Sequence, residues 1–364
     1  MLEQAQEYEG SRVDPADLRR FCAQVMEKFG LSQRHAEETA EVLVTTDTWG
    51  TYTHGSRQLV PLMNNVRKGG LDAKAEPSIS SEGPAWALLD GHYSMPMVSS
   101  RLAMNTAIEK ARVSGIAYAG VRHSSHYGAA GYYAVMAAEQ GMIGVSLSNV
   151  DVCMTVPGAK APVIGTNPLA YAVPAGSERP IFLDIATSVV AISKVIAAKA
   201  AGKPIPDNWL VDEEGVPTTD TSAYPDRGAI LPMAGHKGYG IALFIEILSG
   251  VLTGASFLSG IGHWLAENPE PADEGHAFIA MNVDSFMPQS QFAARIDSMI
   301  REIRDAPRAK GVDRIYLPGE MEWERQDQAY ASGMELPDYV LANLFTLAEQ
   351  ANLTGELVSV LRRA

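Results

Sequence analysis

Two clusters of histidine in small-residue surroundings carry most of the chemical potential of this sequence. One is Thr53-His54-Gly55-Ser56-Arg57, the other His123-Ser124-Ser125-His126-Tyr127-Gly128. Free histidine titrates near pH 6.5, so it both gives and takes a proton at neutral pH. Arginine presents a planar fork that matches a carboxylate. His54 with Arg57 three residues on therefore suits a small anionic substrate undergoing proton-coupled chemistry. His123 and His126 stand at i, i+3, a spacing that admits a shared metal, with His54 or Asp184 as a third ligand. It admits equally an acid/base role for one of them, or structural roles for both.

The nucleotide fingerprints with the clearest mechanics are missing. No G-x-G-x-x-G follows a strand and there is no G-x-x-x-x-G-K-[ST]. Two other segments place free backbone N–H groups at a helix start, where an anion can sit. Asp184-Ile185-Ala186-Thr187-Ser188 follows a strand, and His236-Lys237-Gly238 adds a lysine; each also reads as a plain helix cap. Gly165-Thr166-Asn167-Pro168 reads as a turn before a strand or as an amide-lined edge of a site. Pro318-Gly319-Glu320 reads as a turn.

The elements that must position these residues follow from periodicity. Asp14-Pro15 opens a helix carrying Leu18, Phe21, Cys22 and Val25, and Ser32 caps a second. A third runs from Arg57 to Gly69-Gly70, which places His54 in the turn before it. Strands are expected at 86–89, 116–121, 142–147 (ending at Ser148-Asn149), 169–173 and 181–183. Helices are expected at 99–113, 129–140 and 189–201. Residues 202–235, with five prolines, show no sustained period and read as a lid or a surface excursion. The apolar run Ile241–Phe257 contains Glu246 and reads as a buried helix too short to span a membrane. Ser259–His276 reads as an exposed loop. Phe292–Arg304 and Tyr339–Gln350 are helices expected to pack beside the N-terminal ones.

Composition bounds the function. The chain has 364 residues, 46% of them hydrophobic, and a net charge of −14. That balance disfavours nucleic acid and anionic membrane surfaces as partners. Two cysteines, Cys22 and Cys153, make no disulfide framework and point to a reducing compartment, the cytoplasm. Met1–Gly10 is acidic without an apolar core, unlike a signal peptide.

In these blocks the chain resembles the malate/L-lactate dehydrogenase family of the second type. That family includes sulfolactate, ureidoglycolate and diketogulonate oxidoreductases and cyclic-imine reductases. The resemblance runs from about Asp14 to Leu361. It implies a homodimer, a mixed-sheet layered α/β domain of non-Rossmann type (77–289) and a helical domain built from both chain ends (1–76 and 290–364). It also implies NAD or NADP as cofactor. By the same resemblance His54 matches the family's proton donor and His126 an acid/base histidine. Asn149, Asp184 to Ser188, His236, Lys237, Gly319 and Glu320 match cofactor-contacting segments. Thr53, Arg57, Thr166 and Asn167 are the expected substrate side. Asp184 is a third catalytic candidate, able to orient a histidine. The family usually has Ser at position 53, Asn at 123, Thr or Ser at 150 and Arg-Gly-Lys at 192–194. Here these are Thr53, His123, Val150 and Ile192-Ser193-Lys194, departures that touch substrate and coenzyme choice.

The reading is an NAD(P)H-dependent oxidoreductase interconverting a small 2-oxo acid and its 2-hydroxy acid. The alternatives are a reductase of cyclic imine carboxylates, a metal-dependent hydrolase or lyase, and a non-catalytic small-molecule binder.

Overall fold

The computed structural model describes residues 12–222, 224–267 and 269–362. Met1–Gly10 lies outside them. The short strand β1 (Arg12–Val13) leads into α1 (Pro15–Lys28), α2 (Gln33–Thr48) and α3 (Leu59–Lys68). Asp14 Oδ1 accepts the N–H groups of Ala16 and Asp17 at 2.8 and 3.1 Å, so the Asp-Pro pair caps α1 as its chemistry dictates. Next come β2 (Ser78–Gly83), β3 (Trp86–Asp90), α4 (Pro96–Ser114), β4 (Ile116–Ser124), α5 (Ala130–Ala138) and β5 (Met142–Ser148). They are followed by β6 (Leu169–Val173), β7 (Ile181–Ile185) and α6 (Ile192–Ala200).

Residues 202–235 hold more order than their prolines suggest. β8 (Leu210–Val211), β9 (Pro217–Thr218) and β10 (Ala229–Ile230) form a three-stranded antiparallel sheet over an apolar cluster of Val195, Ile205, Leu210, Tyr224 and Ile230. These strands are two residues long, below the length at which alternation shows in a sequence.

α7 (His236–Glu246) and a π turn at Ile247–Val251 follow, then β11 (Glu274–Asn282), α8 (Gln289–Arg304), α9 (Glu320–Ser332), β12 (Met334–Glu335) and α10 (Asp338–Gln350). The main sheet has seven strands in the order β2-β3-β4-β11-β5-β6-β7. Only the β3–β4 pair is parallel. β2 and β11 extend the strand list expected from sequence. β11 enters between β4 and β5 and is antiparallel to both.

The chain ends meet. β12 pairs with β1, α9 packs on α2, and α10 packs on α3. One apolar cluster runs from Leu18, Phe21 and Leu43 through Ala103, Tyr133 and Phe278 to Leu341 and Leu344, so the helices share a core with the sheet. α8 does not join the N-terminal helices as its periodicity suggested. Its Ile300 packs with Ile181 of β7 and Leu317, at the sheet edge. The 241–257 run is also not buried on all sides. Phe244 is 59% exposed and Val251 55%, while Ala242 and Ile245 face inward. Among the described residues no helix is long and apolar enough to cross a membrane.

Candidate active site

The turn carrying His54 is held from below by a buried acid. Asp47, at the end of α2, is 1% exposed, and its Oδ2 accepts the Ser56 N–H at 2.8 Å. Burial pushes the Asp47 carboxyl up to about 7, against the bond from Ser56. Gly55 sits directly over that carboxylate: a Cβ there would lie 1.9 Å from Asp47 Oδ1. The glycine after the histidine is thus a packing requirement. His54 itself donates its backbone N–H to Thr51 O at 3.0 Å, and its Nδ1 lies 2.9 Å from Thr53 Oγ1.

His126 follows β4 and precedes α5. Its ring stacks on His54 with centroids 5.4 Å apart and 29° between planes. The two clusters singled out in the sequence therefore meet through one histidine from each. Gly128 donates its N–H to His126 Nδ1 at 3.3 Å. An Nδ1 that accepts is unprotonated, which leaves the proton of the neutral ring on Nε2. Trp264 stacks against His126, with centroids 4.3 Å apart and 20° between planes.

Both imidazoles are half-buried and closely surrounded by protein, as groups lining a cleft are. Burial lowers His54 to about 4, and the positive charge of Arg57 adds to the effect. Burial also takes His126 well below the ordinary histidine value, helped by His54 and by His276. Both rings are therefore neutral at pH 7 in the resting protein. Arg57 is exposed, its guanidinium 5.6 Å from the Tyr339 ring centroid. Among the described residues it makes no salt bridge or hydrogen bond, so it is available to an incoming carboxylate.

The pair His123 and His126 does not converge. His123 Nδ1 contacts Asp90 Oδ1 at 2.9 Å, and its ring lies 5.2 Å from that of Tyr93. Among the described residues no group of three or more His, Cys, Asp or Glu is placed to hold a metal ion.

Asp184 does not reach either histidine. Its Oδ2 accepts the Gly131 N–H at 2.7 Å, so it caps the first turn of α5. Close packing raises its carboxyl to about 6 although the side chain meets solvent. The orienting contact expected of it is absent among the described residues, because the free N–H groups of the helix start lie nearer.

The segments expected to hold a dinucleotide lie side by side. Thr187 N bonds Thr166 O at 3.0 Å, Met233 N bonds Thr187 O at 2.9 Å, and Val189 N bonds Leu231 O at 2.9 Å. This brings Ile185, Ala186, Thr187 and Ser188 next to the start of α7. Neither α6 nor α7 has a side-chain cap; at the start of α7 the Lys237 and Gly238 N–H groups bond Ala234 O and Met233 O at 3.4 and 3.0 Å. Lys194 and Lys237 are exposed there, and His236 with them. Two exposed lysines on the segments flanking residues 185–188 supply the positive charge that a pyrophosphate needs.

Other expected contacts are occupied by the protein itself. The Asn149 and Asn167 side chains are fully buried. Their Nδ2 groups donate to opposite oxygens of Glu246, at 3.3 and 2.6 Å. Glu246 Oε1 also accepts the Leu258 N–H at 2.7 Å. Their amides brace the site from behind, and Thr166 stands at its edge. Glu320 takes Arg304 at 2.7 Å, Arg314 at 2.5 Å and the Leu317 N–H at 2.9 Å. Gly319 (φ +86°) packs on Phe182, whose ring a Cβ would meet at 2.5 Å. A concavity lined by Arg179, Arg304, Arg314 and Trp323 opens beside them.

Sequence reasoning missed Asp47, Glu246 and Trp264. A lone Glu inside an apolar run was the available sign for Glu246, since a buried acid needs partners. Trp264, in a loop without periodicity, gave none.

The fold and the paired histidines place the chain in a known group. It belongs to the malate/L-lactate dehydrogenase family, whose profile matches residues 13–345. The chain is 34% identical over 351 residues to a malate dehydrogenase of Pyrococcus abyssi, covering 94% of this chain and 96% of that protein. It is 33% identical to an L-sulfolactate dehydrogenase of Methanocaldococcus jannaschii, with coverages of 94% and 98%. A Pseudomonas putida reductase of Δ1-pyrroline- and Δ1-piperideine-2-carboxylate is 29% identical, with coverages of 92% and 96%. The crystal structure of an Entamoeba histolytica malate dehydrogenase superposes with a TM-score of 0.89 at 30% identity, over 95% of this chain and 99% of that one.

Proposed function

We propose that this protein interconverts a small 2-oxo acid and its 2-hydroxy acid with NAD(H) or NADP(H). The observation that carries the reading is a neutral, half-buried His54, stacked on a second imidazole and three residues from an exposed arginine with no hydrogen-bond or ion-pair partner among the described residues. A nicotinamide cofactor, when bound, supplies or accepts the hydride. Lys194 and Lys237 would hold its phosphates.

Arg57 binds the substrate carboxylate as a fork and fixes which end of the molecule faces His54. That contact also neutralises the charge that helps keep His54 unprotonated. In the oxidative direction the neutral His54 ring takes the hydroxyl proton as the alcohol becomes a ketone. In the reductive direction a proton is taken up with the anionic substrate, and His54 delivers it to the oxygen as negative charge builds there. His126 packs against the His54 ring and excludes water from its face.

The Pseudomonas putida relative supports a second reading, reduction of a cyclic imine carboxylate. Its acid group would use Arg57 in the same way. Among the described residues a metal-dependent hydrolysis finds no ligand set, since His123 is taken by Asp90 away from His126.

We place the protein in the cytoplasm as a homodimer, with the exposed apolar side of α7 and the π turn as the contact between copies. Free, unpaired Cys22 and Cys153 accord with that compartment.

The test is a panel of 2-oxo acids and cyclic imine carboxylates with NADH and with NADPH, followed at 340 nm. Oxidation of either coenzyme with a 2-oxo acid is expected. Consumption with imines alone would move the assignment to the second reading, and none with any compound would end the first.

A further inference from the structure

The loop from Ile261 to Glu267 brings one large aromatic to the histidine pair. Trp264 is 6% exposed, yet it belongs to none of the apolar clusters of the described residues. Its ring partner is the His126 imidazole, at 4.3 Å and 20°. A buried indole normally joins an apolar core, and this one spends its face on a polar ring.

The loop is fastened on both sides of the site. Trp264 O accepts Nδ2 of Asn65 at 2.8 Å, from α3, the helix that begins just after Arg57. Lys68 of the same helix donates to Glu267 O. On the sheet side, His263 Nδ1 lies 2.6 Å from Asp151 Oδ2, two residues beyond Asn149. Anchors on both flanks give the indole one position.

We propose that Trp264 is a positioning residue of the acid–base centre. Its indole sets the plane of the His126 ring and so the face that His126 offers to His54. The inference rests on the reading of that pair as the proton-transfer centre. His126 is sandwiched, so it can neither rotate about χ2 nor take up water on its Trp264 side. The ionisable groups that act on it are His54 from the turn before α3 and His276 from β11; Arg57 acts on His54, and the His263–Asp151 pair lies next to Trp264 in the loop. Stacking on the indole adds no charge to that set, so its loss acts through solvent access and ring freedom.

The experiment compares wild type, Trp264→Ala, Trp264→Phe and Trp264→Leu as full-length chains. One readout is the NMR titration of the His126 ring protons without ligand. The other is kcat and KM for oxaloacetate, or for the 2-oxo acid that the panel identifies. Trp264→Ala is expected to move the His126 titration upward by about one unit, as solvation of the charged form returns. It should lower kcat about tenfold while KM changes less than about twofold. Trp264→Phe, which keeps a flat ring, should restore both; Trp264→Leu, which keeps bulk alone, should not. An unchanged His126 titration in Trp264→Ala, or wild-type behaviour of Trp264→Leu, overturns the proposal. If Trp264→Ala does not fold, the Phe and Leu variants decide it. A shifted titration in a protein that turns over no 2-oxo acid would uphold the positioning of His126 and remove the catalytic reading of the pair.

Discussion

His54 and Arg57 form the smallest unit with chemical meaning here, and each has a distinct measurable signature. His54→Ala removes the proposed proton carrier and should lower kcat by about 10²- to 10⁴-fold, the usual worth of positioned proton transfer. Coenzyme binding, measured by fluorescence titration, should stay intact. Arg57→Gln should lower kcat/KM about 10- to 150-fold through KM, the scale of a hydrogen bond to a charged group. It should also move the acid limb of hydroxy-acid oxidation upward. The sign follows from the cause: Arg57 disfavours the imidazolium, so its removal raises a value that stands at about 4. An acid limb left in place would separate Arg57 from His54. The same logic bears on stability. His54, and His276 at about 3, are neutral in the fold but charge in the unfolded chain below about 6.5. They therefore favour the fold above pH 6.5, and that contribution is lost as pH falls toward their folded values.

At the scale of elements, the site depends on how a turn and a helix end fit each other. Asp47 accepts from the Ser56 N–H while Gly55 lies over its carboxylate. Gly55→Ala forces atoms 1.9 Å apart to separate and tips the turn that holds His54. Overpacking of this kind costs about 1–3 kcal/mol, which lowers Tm in a thermal melt. The prediction is a larger loss in kcat than in coenzyme affinity, because the proposed coenzyme segments lie elsewhere. Equal losses in both would mean general unfolding. These elements also show what could be read in advance. The caps of α1 and α2, the strands β3 to β7 and the position of His54 before α3 were visible as local chemistry. β11 sits between β4 and β5 through contacts more than 100 residues apart, which no local pattern encodes. The same holds for α8, whose apolar stripe specified a buried face but not which neighbour would cover it. Of the expected site residues, His54, His126 and Arg57 fall at one place. Asn149 and Asn167 turned inward because Glu246, 97 and 79 residues away, claims their amides, while Glu320 is held by the nearer Arg304 and Arg314.

On the scale of the whole molecule, α7 and its π turn leave Ile241, Phe244, Ile247 and Val251 at 37–59% exposure along one side. Exposed patches of this kind mark contact surfaces. Phe244→Glu should convert the proposed dimer to a monomer in sedimentation or light scattering, since a charge enters the centre of an apolar contact. Wild-type protein that sediments as a monomer would sink this assignment without touching the chemistry at His54. Activity in the monomer then becomes informative, because Lys237 opens the same helix whose far end makes the contact.

Glu246 ties together three stretches of backbone that approach the site from different directions: the end of β5, the turn at 165–168 and the chain at Leu258. A single carboxylate sets their spacing, so none of the three can drift without dragging the others. Divergence toward a new acceptor in such a scaffold has to proceed by exchanging rim side chains such as Thr53 and Val150. The frame behind them is common property of both reactants and tolerates little revision.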